Sequence, residues 1–343
     1  MKKELLGGVR PENKTEDHRN CVYTRSYSKM SLRLAIFGQA PIAIECINKL
    51  IDANHEIVVV YAPEDGGRPD ALAQHARELD LQVVQRRYFQ SKKGEAIPNA
   101  LNEYKTHNVE LNVLASFTYF LPAEITDAPI HKSICYHPSL LPLYRGGNAL
   151  QWQIIDGAPE TGVSIFVPDT GVDTGPIVNQ KGGVTIGATD TTGSLFFNKL
   201  APLGVQAILE AVSSIESKTV TYKTQDQSQA TFQGLVKDAD ARIDFKQPAE
   251  AIDRLVRGCD PQPGAHIQDG DQLIRLYDAS LEMGGDASPG SLQYVDEKGI
   301  VIGLRGGTLR LGRIRADRGK EPAQDYVRRL EIPIGHVFDS GRL

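Results

Sequence analysis

The chain has 343 residues, 41% of them hydrophobic and 24% charged, and its formal net charge is −5 at pH 7. This composition is typical of a globular protein that is long enough for two domains. The negative balance excludes a general attraction to nucleic acid or to an anionic membrane surface, so a polyanionic partner would need a local basic patch.

Cysteine usage and apolar runs indicate the compartment. The longest apolar runs, such as residues 57–62, are too short to span a bilayer, and no signal peptide is recognisable. Four scattered cysteines form neither a CxxC pair nor a dense framework, which favours reduced thiols. They are Cys21, Cys46, Cys135 and Cys259. The sequence therefore predicts a cytoplasmic protein that does not contact a membrane.

Residues 1–30 form a polar segment with mixed charges and with neither helical nor strand periodicity. We predict a disordered leader, and its acidic residues argue against a transit peptide. Met30 stands directly before the first predicted strand, which raises the alternative that translation starts there. Sequencing the amino terminus of the native protein would decide between the two.

Strands and helices alternate after the leader. Short apolar runs predict strands at residues 32–37, 56–62, 81–85 and 110–116, and apolar residues at helical spacing predict helices at 42–50, 70–79 and 97–106. This alternation predicts an α/β fold with a Rossmann-like parallel sheet that is covered on both faces. Ligands bind such sheets in the crevice beyond the carboxyl ends of the strands.

Strands and helices continue to alternate up to residue 217, and a different pattern follows. We predict a strand at 134–136, a helix at 148–156, a strand at 161–167, and a helical stretch at 190–217 that Pro202 and Gly204 kink or divide. Polar, aperiodic residues 218–233 predict a connector between domains. A helix at 248–257 and short strands around 273–277, 290–295, 299–304 and 308–314 predict a smaller β-rich, OB-like domain. The predicted domains are therefore 31–217 and 234–338, with a tail at 339–343.

Two predicted strand-end loops carry residues that are suited to acid–base chemistry. HPSLLP occupies residues 137–142, RG follows at 145–146, and VDTG stands at 172–175. A lone histidine on a loop is more often structural than catalytic, and an aspartate between glycines is often a solvated turn. His137 and Asp173, 36 residues apart on neighbouring loops, are harder to dismiss, because an imidazole and a carboxylate together can exchange protons.

Other common chemistries find no support in the sequence. The turn after the first strand, GQAPIA at residues 38–43, lacks the glycines that let backbone approach a dinucleotide pyrophosphate, so we predict no NAD(P). The motifs GxxxxGK(S/T), HExxH and GxSxG are absent, which disfavours phosphate-loop, zinc and serine-hydrolase chemistry. We predict no metal.

Taken together, HPSLLP, RG and VDTG resemble the motifs of the formyltransferases that use 10-formyltetrahydrofolate. Further stretches match in the same order: LNVL at 111–114, ATFQG at 230–234, QPAEAI at 247–252 and RGCDPQPGA at 257–265. The resemblance covers residues 32–338. Within that superfamily the chain looks most like the amino-terminal hydrolase domains of 10-formyltetrahydrofolate dehydrogenases, and methionyl-tRNA formyltransferases are the nearest rival.

The resemblance implies that His137 and Asp173 are catalytic. It also implies that Asp173 and the tripeptide Tyr119-Phe120-Leu121 contact the folate. Phe120 and Leu121 would then offer an apolar wall to the pterin, or they only pack their own loop. In the implied reaction, attack on the formyl carbon gives tetrahydrofolate and a formyl product. Protonated His137 would stabilise the oxyanion and protonate the leaving N10, while Asp173 would orient His137 and accept a proton from the attacking group.

Three neighbours of the motifs have less certain roles. Ser139 is assigned to the folate site with the rest of HPSLLP. Arg145 would face the glutamyl carboxylates of folate or an anionic co-substrate, or it is a solvated charge. Cys135 stands where most formyltransferases of the superfamily carry an asparagine that donates to the oxyanion, and a thiol is a poor substitute. The resembled hydrolase branch also lacks that asparagine, so we interpret Cys135 as inert packing and predict that water accepts the formyl group.

Other acceptors remain open. A small amine, for example on a sugar or a peptide, is one alternative. Transfer RNA is disfavoured, because residues 63–68 hold one arginine against two acids and residues 229–343 hold 16 Lys and Arg against 18 Asp and Glu. A local stripe is still conceivable from Arg310, Arg313, Arg315, Arg318 and Lys320.

Three further alternatives concern the protein as a whole. Glycinamide ribonucleotide formyltransferase shares the HPSLLP-like motif but leaves residues beyond about 220 unexplained. A folate-binding protein without catalytic activity is a second alternative. The presence of both His137 and Asp173 argues against it. The carrier and aldehyde dehydrogenase domains of the full dehydrogenase have no counterpart in this sequence, so NADP-linked oxidation would need a partner subunit.

Overall fold

Seven strands form the first sheet of the computed structural model, which describes residues 31–285 and 287–340. They are β1 Arg33–Gly38, β2 Glu56–Ala62, β3 Val83–Gln85, β4 Leu111–Ala115, β5 Ser133–His137, β6 Glu160–Phe166 and β7 Ile177–Thr185. Their order in the sheet is β3-β2-β1-β4-β5-β6-β7. The first five strands run parallel, whereas β6 is antiparallel to both β5 and β7.

Helices cover both faces of this sheet. They are α1 Ile42–Asp52, α2 Ala71–Glu78, α3 Pro98–Lys105, α4 Ala123–Thr126, α5 Ala149–Ile155, α6 Thr192–Leu195 and α7 Ala201–Glu216. Alternate residues of β1 show why two layers form, since successive side chains of a strand point to opposite faces. Leu34 and Ile36 pack with α1, α2 and α7, while Ala35 and Phe37 pack with α3 and α4. The predicted α/β fold class is confirmed.

A π-helical turn, Phe196–Leu200, joins α6 to α7. The helical stretch is therefore divided ahead of Pro202, and Pro202 itself lies in the first turn of α7, where its missing N–H is not needed. By length and composition Thr192–Glu216 is apolar enough to cross a membrane, but a single such helix is weak evidence. Half of its most apolar window is buried inside the protein, as in a core helix.

The second sheet is antiparallel. Its strands are β8 Ala265–Asp269, β9 Gln272–Met283, β10 Leu292–Asp296, β11 Gly299–Leu304, β12 Gly307–Ala316 and β13 Gly319–Pro322. They pair in the order β10-β11-β12-β9-β8, with β13 added to β12. Two helices pack against this sheet around one apolar cluster, α8 Ala249–Gly258 and α9 Ala323–Arg329. The predicted β-rich second half is confirmed.

Sequence analysis missed α4, β7, β8, β13 and α9. Strand β7 lies at the edge of its sheet with β6 as its partner, and most of its residues are exposed or half-buried. Its sequence, IVNQKGGVT, is polar and contains two glycines. Such an edge strand lacks the apolar run by which buried strands are recognised.

The predicted leader at 1–30 and the alternative start at Met30 lie outside the described residues, as do residues 341–343 of the predicted tail. From Ser31 onward the described chain forms one compact unit that holds both sheets. The predicted domain boundaries at 217 and 233 stay predictions.

Candidate active site

The two residues predicted to be catalytic lie side by side. His137 is the last residue of β5, and Asp173 lies in the loop between β6 and β7. Because β6 runs antiparallel, Phe166 at its end lies opposite Cys135 and not beyond His137. The loop of residues 167–176 nevertheless brings Asp173 back to the strand end, where its Oδ2 is 3.5 Å from Nδ1 of His137.

Backbone groups of the turn at 144–146 hold both side chains. Nε2 of His137 lies 2.8 Å from the carbonyl oxygen of Tyr144, and the N–H of Gly146 donates to Oδ2 of Asp173 at 2.8 Å. Since a carbonyl oxygen only accepts, Nε2 carries a proton and Nδ1 is the nitrogen turned towards Asp173. The two side chains are only 7% and 20% exposed, so salt screens their interaction weakly.

The backbone around this pair is held in left-handed conformations. The φ angles are 56° at Tyr144, 106° at Gly146 and 55° at Asp173. A non-glycine residue in this region costs about 1–2 kcal/mol, so surrounding contacts must fix it. Such local strain is often found at functional sites, where it presents a side chain or a backbone group to a ligand.

Arg145 is buried, and its guanidinium is bonded within the chain. It is 6% exposed, and its guanidinium donates to Oε1 of Gln225 at 2.7 Å and 3.1 Å and to Oε1 of Gln227 at 2.9 Å. Both glutamines belong to the predicted connector. Three of its five N–H groups are thus used within the chain, and a contact of Arg145 with a ligand carboxylate stays a prediction.

The side chains of Ser139 and Cys135 contact other parts of the protein. Ser139 is completely buried, and its hydroxyl donates to the carbonyl of Leu143 at 2.6 Å, so it stabilises the turn after His137 and presents no free hydroxyl to a folate. Cys135 packs against the apolar cluster of Leu141, Phe166 and Ile177. Burial, with a smaller contribution from the Asp173 carboxylate, raises the pKa of the Cys135 thiol far above neutrality.

The tripeptide predicted to contact folate lies in the loop after β4. Phe120 is 70% exposed, whereas Leu121 packs against the apolar cluster that contains Phe37. The ring of Tyr119 meets Phe117 edge to face, with 5.5 Å between centroids. Phe120 is therefore the member of the three that is free to cover a ligand, and the folate contact stays a prediction.

A cleft of about 460 Å³ lies close in sequence to the turn that holds His137 and Asp173. Pro138 and Gly147, the immediate neighbours of His137 and Gly146, line one side, and Gln262 from the second half of the chain lines another. Both halves of the described chain thus line this cleft, whereas His137 and Asp173 are not among its lining residues.

Gly38, at the end of β1, is explained by packing. A Cβ at this position would lie 2.4 Å from the carbonyl oxygen of Ala115 and 2.6 Å from Cβ of Ala43. The glycine therefore allows β4 and α1 to approach β1 closely.

Among the described residues, no group of three His, Cys, Asp or Glu side chains is placed to hold a metal ion. The predictions of no NAD(P) and no metal stay predictions.

Sequence reasoning missed the residues that hold the pair. Tyr144 and Gly146 act through backbone groups, which leave no chemical signature in a sequence, although the RG motif marks their position. Gln225 lies in a polar stretch with no periodicity. Only the burial of Gln225, at 4% exposure among exposed neighbours, reveals it.

Two family models match the chain. The model of the formyl transferase domain covers residues 32–212, and the model of the formyl transferase carboxyl-terminal domain covers residues 235–331. The chain belongs to the formyl transferase family. The resemblance seen in the motifs is confirmed.

Two curated relatives show how this formyl transferase compares with known proteins. The mitochondrial 10-formyltetrahydrofolate dehydrogenase of Mus musculus is 34% identical over 325 residues, which is 91% of this chain and 35% of the relative. The methionyl-tRNA formyltransferase of Ectopseudomonas mendocina is 32% identical over 297 residues, which is 84% of this chain and 92% of the relative. The chain thus spans about a third of the length of the dehydrogenases that it matches.

Solved structures share the fold of this formyl transferase. HypX of Aquifex aeolicus, solved in complex with tetrahydrofolic acid, superposes with a TM-score of 0.67 at 17% identity, over 91% of this chain and 51% of that one. At this identity the likeness concerns the fold alone.

Proposed function

We propose that this formyl transferase removes the formyl group of 10-formyltetrahydrofolate and transfers it to water in the cytoplasm, giving tetrahydrofolate and formate. The observation that carries the proposal is the enclosed pair of His137 and Asp173, with 3.5 Å between Nδ1 and Oδ2. Curated relatives are named for 10-formyltetrahydrofolate, and a structure of the same fold was solved with tetrahydrofolic acid.

The geometry suits addition to a carbonyl carbon. Asp173 accepts a proton from the attacking water, whose oxygen forms a bond to the formyl carbon. The protonated imidazole of His137 stabilises the resulting oxyanion through the side of the ring that carries Nδ1, because Nε2 already donates to Tyr144. Collapse breaks the bond between the formyl carbon and N10, and N10 takes a proton from the pair. The products are formate and tetrahydrofolate.

The fixed position of the Asp173 carboxylate supports this mechanism. The N–H of Gly146 holds Oδ2 of Asp173 at 2.8 Å, so the carboxylate keeps its position while its charge changes. The hydrogen bond orients the carboxylate towards His137 before a substrate binds, and such prior orientation lowers the entropic cost of reaching the transition state.

Cys135 favours water as the acceptor. Its thiol stands where an asparagine would supply an oxyanion donor in most formyltransferases of the superfamily, and the resembled hydrolase branch also lacks that asparagine. Burial keeps this thiol protonated, since its pKa lies far above neutrality, so it does not act as a nucleophile.

Transfer to initiator tRNA is the second candidate, because a methionyl-tRNA formyltransferase is among the relatives and 92% of its length is matched. Two of the five cations in the basic stripe on which it would depend are paired with acids, and a third donates to a backbone carbonyl. Arg310 donates to Asp296 at 2.7 Å, and Arg313 pairs with Asp278. Arg315 donates to the carbonyl of Pro263. Cations that are already paired attract phosphates weakly, so we prefer water.

The deciding experiment incubates the purified protein with 10-formyltetrahydrofolate, either alone or with charged initiator tRNA or a small amine, and follows tetrahydrofolate and formate. We expect formate without any added acceptor. Turnover that occurs only with tRNA or with the amine would refute the choice of water. Folate binding without any formyl product would instead indicate a binding protein.

The same assay tests the catalytic pair. His137→Ala and Asp173→Asn should each lower kcat by about 100-fold or more, because each removes a group that acts in the transition state. His131→Ala, which alters a histidine outside the site, is the matched control and should retain activity. Full activity in His137→Ala would contradict the proposed mechanism.

A further inference from the structure

The predicted connector at 218–233 is attached to the catalytic loops along its length. Lys223 exchanges two backbone hydrogen bonds of 2.8 Å with Ile177, the first residue of β7. Farther along, the N–H of Arg145 donates to Thr231, and its carbonyl accepts from Gln233, both at 3.0 Å. The connector therefore lies against the loop that carries Asp173 and against the turn that holds both catalytic side chains.

Gln225 is the point where the connector enters the protein. It is 4% exposed, while the residues on either side of it are exposed. Its Nε2 donates to the carbonyl oxygens of Asp173 at 2.8 Å and of Gly175 at 2.7 Å. Its Oε1 accepts from Nε and Nη2 of Arg145.

The chemistry of these partners fixes the orientation of the Gln225 amide. Carbonyl oxygens only accept and a guanidinium only donates, so Nε2 must face the two carbonyls and Oε1 must face Arg145. All four hydrogen-bonding positions of the amide are filled. A glutamine that is buried in this way is a specific connection between the RG turn and the VDTG loop, and not a solvated linker residue.

Asp173 needs such a connection. Its φ angle of 55° is unfavourable for a residue with a Cβ, and two carbonyls of its loop are held by one amide. The same turn that Arg145 anchors donates the N–H of Gly146 to the Asp173 carboxylate. Release of Gln225 would free the loop to relax, and the distance from Oδ2 to Nδ1 of His137 would no longer be fixed.

We infer that Gln225 is a positioning residue of the active site, which acts through the backbone of Asp173 and makes the connector part of the catalytic machinery. The inference rests on the proposed function in one respect, since loss of formate release is one of its readouts. The local order of the loop at 168–178 is a second readout that needs no activity.

The test compares Gln225→Met and Gln225→Glu with the control Gln229→Met in the full chain. Methionine keeps the length of the side chain and removes every hydrogen bond. Glutamate keeps acceptors for Arg145 but loses both donors and turns a carboxylate towards two carbonyls. Gln229 is exposed and bonds to Asp226 of its own turn, so its replacement should change nothing at the site.

We expect both Gln225 variants to lower kcat by about 10-fold to 100-fold, because a displacement of about 1 Å at a catalytic group can cost 100-fold. The KM for 10-formyltetrahydrofolate should change by less than about 3-fold, since uniform binding is not removed. Amide hydrogen exchange in the peptide 168–178 should be faster than in the wild type, while the thermal midpoint and the exchange of β1 and β4 stay close to wild-type values.

The outcomes separate the two proposals. Faster exchange with reduced kcat supports the role of Gln225, and wild-type exchange in both variants overturns it whatever the activity. If the wild-type chain releases no formate while the variants still show faster exchange, the proposed function fails and the connection between Gln225 and the Asp173 loop stands. If Gln225→Met does not fold, Gln225→Glu is measured by the same two readouts.

Discussion

Cys135 stands where, by the resemblance, most formyltransferases of the superfamily carry an asparagine. It lies two residues before His137 on β5, opposite Phe166 of β6, among apolar side chains. Burial and the nearby Asp173 carboxylate both raise the pKa of its thiol, so the reactive thiolate is absent near neutral pH. Its contribution is to fill space beside the catalytic pair.

Replacement of this thiol should therefore be tolerated. We expect Cys135→Ala to keep formate release within about 3-fold of the wild type, since a small apolar residue replaces an inert one, with a loss of stability of about 1 kcal/mol for the missing contacts. Steady-state rates and urea denaturation would measure both. Peptide mass spectrometry should find that iodoacetamide modifies Cys135 much more slowly at pH 8 than it modifies a free thiol, because this half-buried thiol stays protonated, and rapid alkylation there would contradict that description.

Helix α7 fixes the strand that carries His137. Its residue Gly204 faces Tyr136, the neighbour of His137, and a Cβ at Gly204 would lie 2.4 Å from a carbon of the Tyr136 ring. The glycine that sequence analysis interpreted as a helix breaker is therefore a point of close contact between a helix and the sheet. Its absent side chain sets how deeply α7 packs on β5.

Gly204→Ala tests this contact. Overpacking in a core typically costs about 1–3 kcal/mol, and the higher helix propensity of alanine returns up to about 1 kcal/mol, so we expect a net loss of about 1–2 kcal/mol. Because Tyr136 must move, kcat for formate release should fall as well. Urea denaturation and the formate assay measure the two effects.

Tyr136→Phe is the control for that experiment. The Tyr136 hydroxyl is buried, and among the described residues it has no hydrogen-bond partner, so its removal should be nearly neutral. A stable, fully active Gly204→Ala would show instead that β5 does not depend on close contact with α7.

The two halves of the described chain meet around the end of α8. Arg257 of α8 pairs with Asp253 at 2.7 Å and also donates to the carbonyl of Asp190, in the loop before α6, at 2.9 Å. The hydroxyl of Thr192 donates to the carbonyl of Gly258 at 2.7 Å. The Arg257 and Asp253 side chains are only 7% and 6% exposed, so this contact is an enclosed charge pair.

Removal of one partner from this pair should be costly. Burial raises the pKa of Asp253 although Arg257 opposes the shift, and in Arg257→Met the carboxylate is left without its cation. We expect a loss of about 3–5 kcal/mol at pH 7, measured by urea denaturation. The double variant Arg257→Met/Asp253→Asn should recover part of the lost stability, because neither charge of the buried pair remains.

The pH dependence of that variant follows from the direction of the shift. When folding raises the pKa of a carboxyl, the folded state binds the proton more tightly than the unfolded chain does. The resulting stabilisation is fully present below the pKa of the unfolded chain, about 3.9, and is lost as pH rises through the higher pKa of the folded state. The loss of stability in Arg257→Met should therefore be smaller at pH 4.5 than at pH 7. An equal loss at both values would show that the Asp253 carboxylate is not its cause.

Much of the fold follows from local pattern. Residues 32–37 and 56–62 are mostly apolar on both faces of the strand that each forms. A strand buried between two layers of helices is the structure that such a short apolar run favours, and the predicted bounds of β1 and β2 therefore agree closely with the structure. Polar edge strands such as β7 carry no such pattern and were missed. The antiparallel direction of β6 was missed as well, because direction depends on which neighbour a strand pairs with and not on its own residues.

The sequence by itself determined the α/β class, the β-rich second half and the pair of His137 and Asp173, because apolar periodicity and chemically distinctive side chains are local properties. Tertiary structure decided how that pair is held. Tyr144 and Gly146 act through backbone groups and Gln225 through a neutral amide. Their roles depend on which groups they meet 7 to 52 residues away in the chain. A stretch that is polar and aperiodic in sequence thus becomes part of the site, since hydrogen-bond partners are set only when the chain folds.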